Sequence, residues 1–232
     1  MARGTMAGTG WSVLCVLAAV ALYAYNQRTV TGSKRPASKA ASNSPSDASA
    51  PLAEKTRNYE TYRNCTLAAG PHNDGDSFMV RLPNGREAEF RLYFVDTPES
   101  AFKSYADGQT NRERIAKQAE TFGITPEHAV ETGKKAKAYS LGLLAGGPFD
   151  LSTCWDSPYH DNRFHAFVSV SQQGRPRWLH ELLIEHGYVR IYTKGADLPD
   201  GTPMPKHKIR LETLERLARE TGKGAWGPGR LH

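Results

Sequence analysis

The feature that most constrains this 232-residue chain is the stretch Asn73 to Ser100, "NDGDSFMVRLPNGREAEFRLYFVDTPES". Phe78, Val80 and Leu82 alternate with polar residues, and so do Phe90, Leu92 and Phe94, so each run presents one apolar face as a strand. Pro83-Asn84-Gly85 is turn chemistry, and the two runs read as a hairpin. A two-residue Asn84-Gly85 turn would set Val80 opposite Glu89 and mix charge into the apolar face. A three-residue loop, Asn84 to Arg86, sets Val80 opposite Phe90 and Phe78 opposite Leu92, and is the expected register. It would place Asp74 opposite Asp96 at the open end, with Asp76 one step further in. The stretch carries six acidic side chains and three arginines. Converging carboxylates repel, so something positive belongs between them. Arg91 and Asp96 differ in strand parity, so they share a site only if the chain bends after about Tyr93. Thr97-Pro98 supports a strand end there.

The rest of the folded part follows the same logic. Residues 61–70 alternate loosely and read as a first strand; 149–154 and 164–170 complete five. Thr125-Pro126 is an N-cap with proline at the first helical position, opening a helix to about Leu144. Leu179 to His186 reads as a short helix closed by Gly187, and Lys206 to Thr221 as a third. A further helical stretch, about Thr110 to Phe122, is inserted after the hairpin. The expected assembly is α+β, a five-stranded barrel with three main helices and the inserted one.

Ahead of this domain, Thr5 to Gln27 carries no charge and Trp11 to Tyr25 is nearly all apolar. Residues 1–27 read as a signal peptide or an N-terminal membrane anchor, with residues 5–27 the membrane-contacting part; the two alternatives stay open. Residues 28–55 are rich in Ser, Ala and Pro and read as a flexible, disordered linker. The folded domain is then 56–232. The net charge of +6 is no argument for nucleic-acid binding: residues 1–52 hold five basic side chains against Asp47 alone, which supplies +4 of it. By the positive-inside count, the linker side would be cytoplasmic. Cys65 and Cys154 read either as two free thiols or, in an exported domain, as one disulfide. His160 and His165 bracket Arg163 without zinc-ligand company. His180 and His186 read as surface residues of the short helix.

Taken singly, the polar residues have ordinary explanations. Asp74 and Asp76 around Gly75 suit a turn, Arg91 suits a strand face beside Glu89, and Arg163 suits a loop. In order along the chain, however, "DGDSF", "FRLYFVDTPES", "TGKKAKAYS", "NRFHAFVSV", "LLIEHGYVRIY" and "GKGAW" resemble the thermonuclease family, the staphylococcal-nuclease-like (SNase-like) domains. The resemblance runs from Tyr62 to Trp226. It implies an OB-fold barrel and calcium-dependent endonuclease cleavage of DNA and RNA to 3′-phosphates. By motif position it implies Asp76 and Asp96 as Ca2+ carboxylates, the Thr97 carbonyl as a third oxygen and Asp74 as an accessory acid. It makes Glu99 the general base, with Arg91 and Arg163 gripping phosphate. Calcium binds hard oxygen donors, which this set supplies independently of the likeness.

Departures from the family are also legible. Asp161-Asn162 stands where a Tyr-Gly pair is usual, leaving Tyr159 as the nearest aromatic, and an acid there should repel phosphate unless it points away. Thr193 occupies the place of a second base-stacking tyrosine, with Tyr192 beside it. The insertion Phe102 to Phe122 borders the groove. By the family's strand order the first strand lies beside the fourth, which would bring Cys65 and Cys154 together. A disulfide and a nonspecific nuclease both suit an exported, monomeric domain, secreted, periplasmic or membrane-anchored, and this outweighs the positive-inside count. Two other readings compete: a non-catalytic OB-fold module that holds nucleic acid or protein, and a calcium-stabilised extracellular structural domain.

Overall fold

The computed structural model of the protein describes residues 54–55 and 58–228. The apolar segment 5–27 and nearly all of the linker lie outside the described residues. A short strand β1 (Glu54–Lys55) pairs with β2 (Glu60–Leu67). The hairpin is β3 (Ser77–Arg81) and β4 (Glu87–Leu92). A two-residue β5 (Val95–Asp96) and helices α1 (Arg112–Phe122) and α2 (Pro126–Ala145) follow. Next come β6 (Phe149–Thr153), β7 (Phe164–Gln172), β8 (Arg175–Trp178) and helix α3 (Leu179–Glu185). The chain continues through β9 (Arg190–Ile191), helix α4 (Met204–Glu220) and a final 3-10 turn, Gly224–Trp226.

Strands β2, β3, β4, β7 and β6 hydrogen-bond in that order, and β6 returns to β2, closing a five-stranded OB-like barrel. Closure leaves these strands without an open edge, and four helices complete the α+β fold. The β4–β7 pairing is parallel, with Phe90 beside Phe164 and Arg91 beside His165. Phe78, Val80, Phe90, Leu92, Leu151 and Phe167 fill the interior and are fully buried. The helix ends obey their local chemistry. The Thr125 hydroxyl accepts from the His128 amide at 3.2 Å, and Gly123 takes φ +66 to end α1.

The inserted helix is packed into the body of the protein. Ile115, Ala119 and Phe122 bury against Ile124, Ala129, Val130 and Trp226, with the Phe122 and Trp226 rings 4.9 Å apart.

Four expectations are corrected. The hairpin pairs Phe78 with Phe90 and Val80 with Ala88, two residues off the expected register. The loop is Pro83–Gly85: the Gly85 amide donates to the Leu82 carbonyl at 2.9 Å, and the Leu82 amide to the Arg86 carbonyl at 2.8 Å. Pro83 thus takes the turn position its fixed φ suits, and Gly85 takes φ +83. A slip of two preserves side-chain parity, so the apolar face is unchanged. Second, Asp74 does not face Asp96. The Leu92 amide donates to the Asp76 carbonyl at 2.9 Å, and Asp74 lies in the turn before β3.

Third, Cys65 and Cys154 are free thiols. Their strands are adjacent as expected, but Cys65 pairs with Phe149. At roughly 3.3 Å per residue Cys154 is about 17 Å further along, beyond disulfide reach. Fourth, His180 is fully buried and its Nε2 meets His207 Nε2 at 2.8 Å. His186 is half-buried under the Tyr139 ring at 4.4 Å. The apolar turns of a seven-residue helix wedged between barrel and α4 leave it little solvent-facing side.

Candidate active site at the barrel mouth

The polar residues gather where β3 begins and β4 ends. Past Leu92 the chain bends at Tyr93–Phe94, with Phe94 at φ +71, and re-enters as β5 paired with β9. This is the bend that the parity of Arg91 and Asp96 required. It carries Asp96 back over Arg91, whose Nη2 donates to Asp96 Oδ1 at 2.8 Å and to Asp76 Oδ2 at 3.3 Å. All three side chains are buried. Asp76 also accepts from the Thr97 amide at 3.2 Å and the Ser77 hydroxyl at 3.3 Å. The second oxygen of Asp96 takes Arg190 Nε at 2.9 Å and Gln118 Nε2 at 3.2 Å.

The positive charge between the two carboxylates is therefore a guanidinium in this structure, with a second one from Arg190. Burial alone would weaken the Arg91 cation, yet the flanking Asp76 and Asp96 hold its pKa above the usual arginine value. Burial pushes the Asp76 carboxyl upward despite Arg91, with Asp96 adding to the rise. Asp74, half-buried, is also raised, first by burial and then by the Asp76 charge.

Gly75, between Asp74 and Asp76, has a packing reason. A Cβ there would lie 2.7 Å from Thr97 Cγ2 and 3.1 Å from Ala136 Cβ. Only glycine lets the acidic turn sit this close to α2, where the Ser140 hydroxyl donates to the Gly75 carbonyl at 2.7 Å.

Two cavities meet at this mouth. One, of about 330 Å3, is lined by Asp74, Asp76, Thr97 and Glu99. The other, of about 870 Å3, is lined by Arg91, Arg190, Lys117, Tyr159 and Tyr192. Arg114, Asp161 and Arg163 line both. Glu99 is held by Arg114 Nη1 at 3.1 Å and Asn111 Nδ2 at 3.3 Å. Tyr159 and Tyr192 are exposed, with the Arg91 and Arg190 guanidiniums 6.0 Å and 3.9 Å from their ring centres. Thr193 contributes its hydroxyl to the β5 turn, donating to the Val95 carbonyl at 3.2 Å.

Asp161 is exposed and faces the mouth, lining both cavities. It accepts from Arg163 Nε at 3.0 Å and from Nη2, so it neutralises this arginine directly. Burial would raise the Asp161 carboxyl, but the Arg163 hydrogen bonds outweigh it and hold it below its ordinary range. Arg163 Nη1 continues to the Ser77 hydroxyl at 3.3 Å. Asp161, Arg163, Ser77, Asp76, Arg91, Asp96 and Arg190 thus form one connected network, largely of alternating charge.

The donors suit a hard cation in kind: Asp74, Asp76, Thr97 and Glu99 offer only oxygen to one cavity. Asp74 has no ion-pair partner within salt-bridge distance among the described residues, so negative charge is left over there. The Asp96 carboxylate and Thr97 carbonyl already accept protein hydrogen bonds, which an ion would share or displace. Among the described residues no group of three His, Cys, Asp or Glu is close enough to be a ready-made metal cluster.

Sequence reasoning missed Asn111, Arg114, Gln118 and Arg190. Arg190 sits inside the quoted "LLIEHGYVRIY", but nothing in that run points to Asp96, which only the β5–β9 pairing brings beside it. The α1 residues gave no signal beyond their spacing of three and four. The fold and site together define an α+β protein with an OB-like barrel whose mouth interleaves carboxylates with guanidiniums. No protein-family model matches the chain, and no curated protein is significantly similar to it.

Proposed function

We propose that the protein is a calcium-dependent nuclease of the thermonuclease type, hydrolysing phosphodiesters of DNA and RNA with low sequence preference. One observation carries this reading. Asp76, Asp96, Thr97, Glu99, Arg91 and Arg163, drawn from nearly 90 residues of chain, line one pair of joined cavities. Bound calcium, held by Asp76, Asp96 and the Thr97 carbonyl with Asp74 near, would polarise a phosphate oxygen.

The chain's own residues account for the remaining chemistry. Water attack on phosphorus builds negative charge on the equatorial oxygens, and the planar donor forks of Arg91 and Arg163 suit that charge. Glu99, facing the same cavity, orients the attacking water or takes its proton. Expulsion of the 5′ oxygen leaves a 3′-phosphate. Tyr159 and Tyr192 offer stacking faces for bases beside the basic cavity. A monomer exported to the cell exterior or periplasm, secreted or tethered through residues 5–27, fits an activity harmful to cytoplasmic nucleic acid.

A second reading, a non-catalytic module binding nucleic acid or protein, is favoured by one observation: Arg91 and Arg163 are both engaged by carboxylates of their own chain. Cleavage of DNA and RNA by the full chain with calcium, and none with chelator, is the expected result. Glu99→Gln separates the readings. It should abolish cleavage and retain binding if the protein is a nuclease; wild-type protein that binds without cutting establishes the module instead.

A further inference from the structure

Part of what holds the acidic loop 96–99 comes from the inserted segment. Asn111, Arg114 and Gln118 are spaced three and four apart, so they share one face of α1 and its cap. All three touch the loop. Asn111 Nδ2 donates to Glu99 Oε2 at 3.3 Å and to the Ala101 carbonyl at 2.9 Å, and Arg114 pairs with Glu99. Gln118, only 1 % exposed, reaches three of the four residues of this loop. Its Nε2 donates to Asp96 Oδ2 at 3.2 Å and to the Thr97 carbonyl at 3.0 Å, and its Oε1 accepts the Glu99 amide at 3.0 Å.

A primary amide has two N–H donors and one carbonyl acceptor, and here each is used on a different loop residue. We propose that Gln118 is a positioning residue that sets the proposed cation oxygens, Asp96 and the Thr97 carbonyl, in one frame with Glu99. The assignment rests on the nuclease reading above. Gln118 touches neither Arg163 nor the exposed tyrosines, so it governs cation affinity and turnover while leaving the substrate grip alone. Residues that orient a ligating group through hydrogen bonds typically change metal affinity or activity 10–100-fold when replaced.

The test is Gln118→Met in the full chain, which keeps length and volume and removes every hydrogen bond. Calcium affinity is read by calorimetry, turnover by cleavage of a defined oligonucleotide. The expected result is a calcium Kd raised about 10-fold or more and kcat lowered about 10–100-fold, with KM within about threefold of wild type. Lowered thermal stability with calcium Kd and kcat unchanged makes Gln118 a packing residue and overturns the proposal. A second measurement needs no variant. The Gln118 side-chain amide signals of the wild-type protein should shift as calcium is titrated, with the midpoint found by calorimetry; signals that stay fixed while calcium binds overturn it too. Wild-type protein that neither binds calcium nor cleaves overturns the nuclease reading and this assignment together, whereas failure of Gln118→Met alone removes only the latter.

Discussion

Asp161 shows how a side chain of the wrong sign is accommodated beside an arginine proposed to bind phosphate. It does not turn away; it closes on Arg163 and forms one end of the mouth's charge network. On the nuclease reading, a phosphate arriving there must displace a carboxylate from the guanidinium, so Asp161 would temper affinity rather than add repulsion from a distance. His165, beneath the same mouth, is a different case. It is 1 % exposed, neither ring nitrogen has a hydrogen-bond partner among the described residues, and the Tyr93 and Tyr159 rings lie 5.1 Å and 5.7 Å away. Burial lowers its pKa to about 4, with nearby Asp156 opposing the shift. The folded state thus binds fewer protons than the unfolded one between the ordinary histidine value and about 4. The contribution of His165 to stability must fall as pH drops through that window and level off below it. A shift of this size corresponds to about 3 kcal/mol. His165→Leu should lose about 3 kcal/mol less than wild type on going from pH 7 to pH 4, measured by urea unfolding. Parallel losses in the two proteins would refute the account.

At the scale of elements, α2 is the bed on which both acidic segments lie. Gly133 makes the contact: a Cβ there would stand 2.4 Å from the Pro98 carbonyl oxygen and 2.5 Å from that of Glu99. Helix propensity alone favours alanine over glycine by about 1 kcal/mol. The steric term opposes it and should win, because both neighbours are backbone atoms that move only with the loop. Gly133→Ala is therefore expected to cost about 1–3 kcal/mol and, if the protein is the proposed nuclease, to reduce cleavage about tenfold or more. A more stable, fully active variant would show that the loop yields freely. The helices themselves were readable to within about two residues, because Thr125-Pro126 and Gly187 are caps with a local mechanism. The hairpin register was not, since Pro83-Asn84-Gly85-Arg86 accommodates two loops of equal parity and Val80 meets an apolar partner in both. Gln118 was invisible for a related reason: on a helix read in isolation, a glutamine four residues after an arginine looks like solvent-facing surface. Its meaning arises only when Phe122 docks against Trp226 and turns that face toward residues 96–99.

Across the whole molecule, barrel topology determines which sequence-distant residues can cooperate. The parallel β4–β7 pairing delivers Arg163, at the entry of β7, to the level where Ser77 pairs with Arg91, and the β5–β9 pair adds Arg190 from the far side. That convergence had a sequence signature in the acid-rich hairpin ends, and the need for a compensating positive charge was correctly inferred. The structure supplies that charge from Arg91, which reaches Asp96 because the chain bends at Tyr93–Phe94, and calcium is the second, proposed carrier. The two carriers have separable consequences for stability. In wild type, Arg91 compensates Asp76 and Asp96 without an ion, so calcium should stabilise the fold by simple mass action. At 100 times its Kd that is about 2.7 kcal/mol, or roughly 5–10 °C in Tm for a domain of this size. In Arg91→Gln the buried carboxylates lose their main partner, a change that typically costs about 3–5 kcal/mol. An ion between them would offset part of that loss. The calcium-induced rise in Tm should therefore be larger in Arg91→Gln than in wild type, and chelator should abolish it in both. Thermal melts of the two proteins with calcium, with magnesium and with chelator decide the matter. A variant that stays destabilised to the same degree whatever the ion would mean that guanidinium alone neutralises this mouth, and the calcium assignment would fall with it.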